Sequence, residues 1–233
     1  MLIKIWHYTK RVILWAFVSS FLYLLICKWV MPPLTLTQLS SVFEGYGLKR
    51  DYVGWDEISA NVKLAAIASE DQLFPEHNGF DWDALKKSLN QDPKRKSKKT
   101  AGTGASTISQ QTAKNIFLWQ GEGVMKYVRK VPEFYFTQLI EWIWGKQRIL
   151  EVYLNTIEMG KGIFGIEAAA QTYYHKSAKN LTRSEAASII ACLPNPKVYT
   201  VQPKSRFVAW KTNWILRQMS NIEDDDETKA IIK

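Results

Sequence analysis

The stretch from Val12 to Met31 sets the terms for everything after it. It is 20 residues long with one charge, Lys28, which suits the ~20 residues a helix needs to cross a bilayer's hydrocarbon core. Lys28 lies near one end and can snorkel to the interface; Trp6, Tyr8, Trp15 and Trp29 suit the two interfaces. Lys4, Lys10 and Arg11 precede the run, so the positive-inside rule places residues 1–11 in the cytoplasm and the bulk of the chain on the far side. A cleaved signal peptide is the competing reading, but no small-x-small site follows and Pro32-Pro33 comes directly after. The run therefore reads as a retained signal-anchor, residues 12–31.

Export decides what the charge means. The chain of 233 residues has a formal net charge of +9, which attracts polyanions, either nucleic acid or anionic lipid headgroups. An exported chain never meets DNA, so the nucleic-acid reading falls. Two cysteines, Cys27 in the membrane run and Cys192 in an apolar helical pattern, lie too far apart in character to pair. Two free thiols are expected, neither carrying chemistry. A hydrophobic fraction of 46% supplies a large core and excludes disorder for most of the chain.

Beyond the anchor, residues 32–55 read as a linker and lead-in broken by Pro32, Pro33, Gly45, Gly47 and Gly54. From residue 56 to 220 the pattern is helix after helix, with no strand-period stretch of useful length and no internal repeat, so the domain is all-α. Ile58, Val62, Ala65 and Ser69 share one face, as do Trp82, Leu85 and Leu89. Asp81 is placed to cap the helix that opens at Trp82, and Thr182-Arg183-Ser184-Glu185 is a capping box. Phe134 to Trp144 reads as a core helix with a membrane-facing edge. A last helix from Ser205 to Met219 is expected to bury Phe207, Trp210 and Trp214, and residues 221–233 to fray as an acidic tail. Lys94 to Lys99 holds five basic residues, with Gly102 and Gly104 following, and reads as a solvated loop.

Two adjacent carboxylates, Glu70 and Asp71, end an alanine-rich helix and are followed by Phe74, Pro75, His77 and Gly79. Acidic residues ordinarily face solvent, yet a carboxylate at a helix end beside a rigid loop can sit in a cleft and serve as a general base. Thr107, Gln111, Lys114 and Asn115 share one face of the next helical stretch and suggest a lined groove.

The order Glu70-Asp71-x-x-Phe74-x-x-His77-x-Gly79-x-Asp81 resembles the first motif of the peptidoglycan glycosyltransferases. Four further blocks follow in that family's order. Gly104-Ala105-Ser106-Thr107-Ile108-Ser109-Gln110-Gln111 with Lys114-Asn115 resembles the second, Ala105 standing where the family has Gly. Arg129-Lys130-x-x-Glu133 matches the third, and Lys146-x-x-Ile149-Leu150-Glu151-x-Tyr153-Leu154-Asn155 through Gly165-Ile166-Glu167 the fourth. Glu185-Ala186-Ala187 through Leu193-Pro194-Asn195-Pro196 and Tyr199 matches the fifth. No transpeptidase-sized stretch follows, so the resemblance is to the monofunctional members.

That resemblance implies a lysozyme-like helical domain outside the bacterial inner membrane, polymerising lipid II into β-1,4-linked glycan with inversion and release of undecaprenyl pyrophosphate. It implies Glu70 and Glu133 as catalytic acids. Asp71, Phe74, His77, Thr107, Gln111, Lys114, Asn115, Arg129 and Lys130 would serve the substrate, with Asp71 and His77 holding the first loop's geometry. An alcohol needs a base to take its proton, and a departing pyrophosphate needs cations. Pro132 bears on the third block: it either kinks a helix through Arg129–Glu133 or opens one after Arg129. His7, His77 and His175 make no metal-ligand spacing, so no tightly bound cofactor is expected, while Mg2+ could ride on the pyrophosphate. Penicillin-binding and cell-division proteins are partners of the kind the resemblance suggests. A peptidoglycan hydrolase of similar fold and a non-catalytic envelope scaffold are the alternatives.

Overall fold

The computed structural model describes residues 2–89, 106–119 and 123–233. The basic loop at Lys94 to Lys99, Gly102, Gly104 and Ala105 lie outside the described residues.

The N-terminal helix α1 (Leu2–Cys27) includes a segment, Lys4–Cys27, long and apolar enough to cross a membrane, with mean hydropathy 1.7. It begins ten residues before the uncharged run and stops four before Met31. Its C-terminal half docks on the domain: Trp144 donates its indole N–H to the Leu24 carbonyl (2.8 Å), and the Arg148 guanidinium caps the Cys27 carbonyl (2.9 Å). Cationic donors satisfy the carbonyls that a helix end leaves unpaired.

At the centre stands α3 (Ala60–Glu70), whose residues Val62 to Ser69 are all buried. Its alanines let neighbours approach on every side, and α10 (Arg183–Ile190) and α11 (Arg206–Ile222) pack against it. A second group joins α5 (Ile108–Phe117) to α7 (Lys130–Ile143) and α8 (Lys146–Thr156). The capping boxes at Thr107 and Thr182 are both formed. Asp81 caps α4 (Trp82–Leu89) by accepting the Ala84 N–H at 2.8 Å. Trp82 itself is 53% exposed and lies tilted against Phe80 (ring centroids 5.3 Å) instead of entering the core. Cys27 and Cys192 are both buried and unpaired.

The helical domain carries one small sheet, in the order β1-β3-β2. Strand β1 (Lys49–Arg50) runs parallel to β3 (Ile163–Phe164), which runs antiparallel to β2 (Glu158–Gly160). These strands of two and three residues are too short to show a period. Gly165 opens α9 (Ile166–Tyr174) at φ +84, where a Cβ would lie 2.5 Å from the Asn155 carbonyl oxygen. Only glycine fits there.

Three expectations are corrected. Residues 32–55 are not a free linker: α2 (Leu36–Phe43) is capped by Thr35 and packs on α5, with the Thr37 hydroxyl donating to the Asn115 carbonyl at 2.7 Å. Residues 221–233 are not frayed: Asp225 caps α12 (Asp226–Ile232), which lies against α3 with Thr228, Ile231 and Ile232 turned inward. In α11 the buried face is Val208, Lys211, Thr212, Ile215 and Met219. Of the three aromatics expected there, Trp214 is partly buried against the core, whereas Trp210 is 49% exposed and Phe207 stacks on Tyr199 (4.0 Å).

Candidate active site

The first and second motif blocks lock onto each other through polar contacts. Asp71 follows α3 and is 8% exposed; its Oδ2 accepts the Ile108 N–H at 2.9 Å, at the positive N-terminus of α5. His77 Nδ1 accepts the Gly79 N–H at 3.1 Å, so Nε2 carries the proton that is donated to Asp71 at 3.0 Å. Thr107 caps α5 and donates its hydroxyl to the Gly79 carbonyl at 2.7 Å. Gly79 has φ +90, and a Cβ there would come within 2.9 Å of the Thr137 methyl. Phe74 is fully buried, and Lys146 from the fourth block lies 4.6 Å over its ring while donating to the His77 carbonyl. Asp71, Phe74, His77 and Thr107 are therefore spent inside the protein, fixing the loop that presents Glu70.

Glu70 ends α3 with its side chain 14% exposed. Oε1 accepts the Ser69 hydroxyl at 2.8 Å and faces the Lys211 ammonium at 3.2 Å. Among the described residues, Oε2 accepts only the Gln111 amide, at 3.3 Å. Gln111 is itself oriented by Tyr153, whose hydroxyl donates to its carbonyl oxygen at 3.3 Å. Full burial, and after it the charges of Glu70 and Asp71, push the Tyr153 phenol well above its ordinary value, so it remains a donor.

The third block forms the other end. Arg129 is a helical residue between α6 (Met125–Val128) and α7, so its carbonyl still accepts the Glu133 N–H at 3.0 Å. Pro132 falls in the first turn of α7, where no intrahelical donor is lost. The helix thus opens after Arg129 without separating it from Glu133. The Arg129 Nε lies 3.4 Å from Glu133 Oε2, and the Lys130 ammonium contacts Oε1. Arg129 also donates to the Trp119 carbonyl at 3.0 Å. Both the Arg129 Nε and Glu133 Oε2 are buried without a proper hydrogen bond.

Between the two ends sits Lys114, half-buried and making no ion pair among the described residues. Burial, and after it Arg129, push its ammonium down from 10.5 to about 8; Glu133 opposes this, Lys130 adds to it and Glu70 opposes it weakly. One lysine thus feels both carboxylates. Beside it opens a cavity of about 300 Å³ lined by Thr37, Gln111, Lys114, Asn115, Glu158 and Asn195, among others. The fifth block's Leu193 to Pro196 form part of its wall. Burial raises the Glu158 carboxyl above its ordinary range there. Among the described residues no three His, Cys, Asp or Glu side chains gather as a metal cluster.

Sequence reasoning missed Lys211. It is 2% exposed in the middle of α11, 141 residues from the carboxylate it faces, and outside every motif block. A buried lysine on an otherwise apolar helix face was the available signal.

The helical domain sets Glu70 at the end of its central helix and gathers Arg129 and Lys130 around Glu133, with Lys114 sensing both carboxylates; it is a helical enzyme domain of the lysozyme-like class. The profile of the transglycosylase family matches residues 37–220. A biosynthetic peptidoglycan transglycosylase of Pseudomonas fluorescens is 44% identical over 222 residues, covering 93% of this chain and 90% of its own. One from Haemophilus influenzae is 45% identical over 220 residues (91% and 87%), and one from Mannheimia succiniciproducens 49% over 177 residues (76% and 70%). The chain belongs to the transglycosylase family, the peptidoglycan glycosyltransferases that its motifs resemble, and is a glycosyltransferase.

Proposed function

We propose that this enzyme polymerises lipid II into β-1,4-linked peptidoglycan strands, with inversion and loss of undecaprenyl pyrophosphate. The observation that carries this reading is an excess of cation: among the described residues, Lys114, Arg129 and Lys130 stand around one carboxylate, Glu133. A pyrophosphate leaving group supplies the missing negative charge, and prearranged cations stabilise it most as the bond breaks. A hydrolase has no such group to hold.

In this reading Glu70 takes the proton of the acceptor's sugar 4-hydroxyl as that oxygen attacks the anomeric carbon of the donor. The anomeric C–O bond to pyrophosphate breaks, and its electron pair departs on the pyrophosphate. Glu133 keeps Arg129 and Lys130 aimed at that group. Gln111 orients Glu70, and Asn115 lines the adjoining cavity. Any Mg2+ used would travel on the substrate pyrophosphate.

Placement at the outer face of the bacterial inner membrane is part of the same proposal. It is supported by α1 and by an apolar surface beside it: Tyr127, Val131 and Trp142 are 76, 76 and 75% exposed on α6 and α7, and α1 packs on α7. Such a surface suits the interface where a lipid-linked substrate resides.

The test is polymerisation of labelled lipid II in detergent. Long glycan from wild type and none from folded Glu70→Gln is the expected result. Cleavage of preformed glycan without polymerisation would move the assignment to a hydrolase.

A further inference from the structure

The geometry points to Lys211 as the positioning residue of the base: it pins Glu70 by Oε1, leaving Oε2 as the atom that accepts the acceptor's proton. This rests on the reading of Glu70 as the general base and extends it to a residue outside the motif blocks.

Three observations support it. First, the two carboxylate oxygens are treated unequally: Oε1 takes the Ser69 hydroxyl (2.8 Å) and the Lys211 ammonium (3.2 Å), whereas among the described residues Oε2 has only the amide of Gln111 (3.3 Å). The less occupied oxygen is the one with a lone pair to offer. Second, Lys211 is 2% exposed and Glu70 is its sole ion-pair partner among the described residues. A lysine is costly to bury and is almost never kept inside unless paired. Third, α11 turns Lys211 toward α3 while leaving Trp210 half in solvent, so the helix is registered with the ammonium inward.

The other groups around Glu70 do not duplicate this. From α3 itself come Ser69 and the neighbouring carboxylate Asp71, which is committed to His77 and the Ile108 N–H. From α5 come Gln111 and Lys114, from α8 the protonated Tyr153, and from the end of α10 the Cys192 thiol, which burial raises to about 12. Lys211 is the cation in direct contact.

In the step itself the proton of the acceptor hydroxyl moves to Oε2, the new glycosidic C–O bond forms, and the electron pair of the broken bond leaves on pyrophosphate. Lys211 exchanges no proton. It fixes which oxygen faces the substrate. A misplaced base costs on the order of 100-fold in rate.

The experiment is lipid II polymerisation by the full chain for wild type, Lys211→Met, Lys211→Arg and Glu70→Gln, with Lys211→Gln in place of the Met variant if that one does not fold, and with kcat and the donor KM read separately. The expected result for the neutral variants is a kcat lower by on the order of 100-fold with the donor KM unchanged. Lys211→Arg is expected to recover most of the lost kcat. A neutral variant with wild-type kcat, or a loss of kcat that Lys211→Arg does not recover, overturns the proposal. Full activity in Glu70→Gln would instead remove the base reading beneath it.

Discussion

The two carboxylates on either side of Lys114 use the same functional group in opposite ways. Glu70 is 14% exposed, with one cation on one oxygen and a weak amide contact on the other. Glu133 is 2% exposed, with a cation at each oxygen. A carboxylate with an open lone pair at the edge of a cleft can take a proton; one sealed between a guanidinium and an ammonium can only hold charge in place. Burial and partner count, more than residue type, separate a base from a scaffold.

The largest expected effect tests the open end. Glu70→Gln keeps an acceptor for Lys211 and loses the base, so kcat should fall by about 100- to 10,000-fold while donor affinity is retained, as read by steady-state kinetics and donor binding. The sealed end should respond differently. Glu133→Ala strands the nearly buried Arg129 charge, and thermal or denaturant unfolding should show a loss of about 3 kcal/mol, accompanied by weaker donor binding. Asp71→Asn sharpens the contrast one residue from the base. Asp71 is sealed like Glu133, so the variant should lose about 2 kcal/mol of stability with a smaller change in kcat than Glu70→Gln.

The smallest effect concerns the lysine between the ends. With its ammonium lowered to about 8, Lys114 should impose an alkaline fall in kcat/KM above about pH 8, and Lys114→Arg should move that limb upward. The sign for stability follows from the same shift. Because the folded value lies below the ordinary 10.5, the unfolded chain binds more protons between about 8 and 10.5, and Lys114 makes folding more favourable as pH rises through that window. Urea unfolding of wild type against Lys114→Met across that window reads it.

Much of this was legible in the chain. The motif order singled out Glu70, Glu133 and the cations Lys114, Arg129 and Lys130, and local chemistry at Thr182 and Asp81 marked helix starts where they occur. Pro132 was ambiguous from sequence because its effect depends on whether Arg129 keeps helical dihedrals, which the structure answers with φ −59 and ψ −26. Lys211 was hidden because a reading by hydrophobic periodicity follows the aromatic stripe of α11, while the fully buried face, offset from that stripe, includes a lysine and a threonine. The lead-in and the acidic end misled for a related reason: glycines, prolines and charges there mark turns and caps around α2 and α12, whose few buried residues are too sparse to show a period.

The most direct test of the division between the two ends is binding of a labelled lipid-pyrophosphate donor by Glu70→Gln and Glu133→Gln, measured side by side with polymer formation. Glu70→Gln is expected to bind the donor as wild type does yet make no polymer, and Glu133→Gln to lose donor affinity. Equal loss of donor binding in both variants would contradict that division.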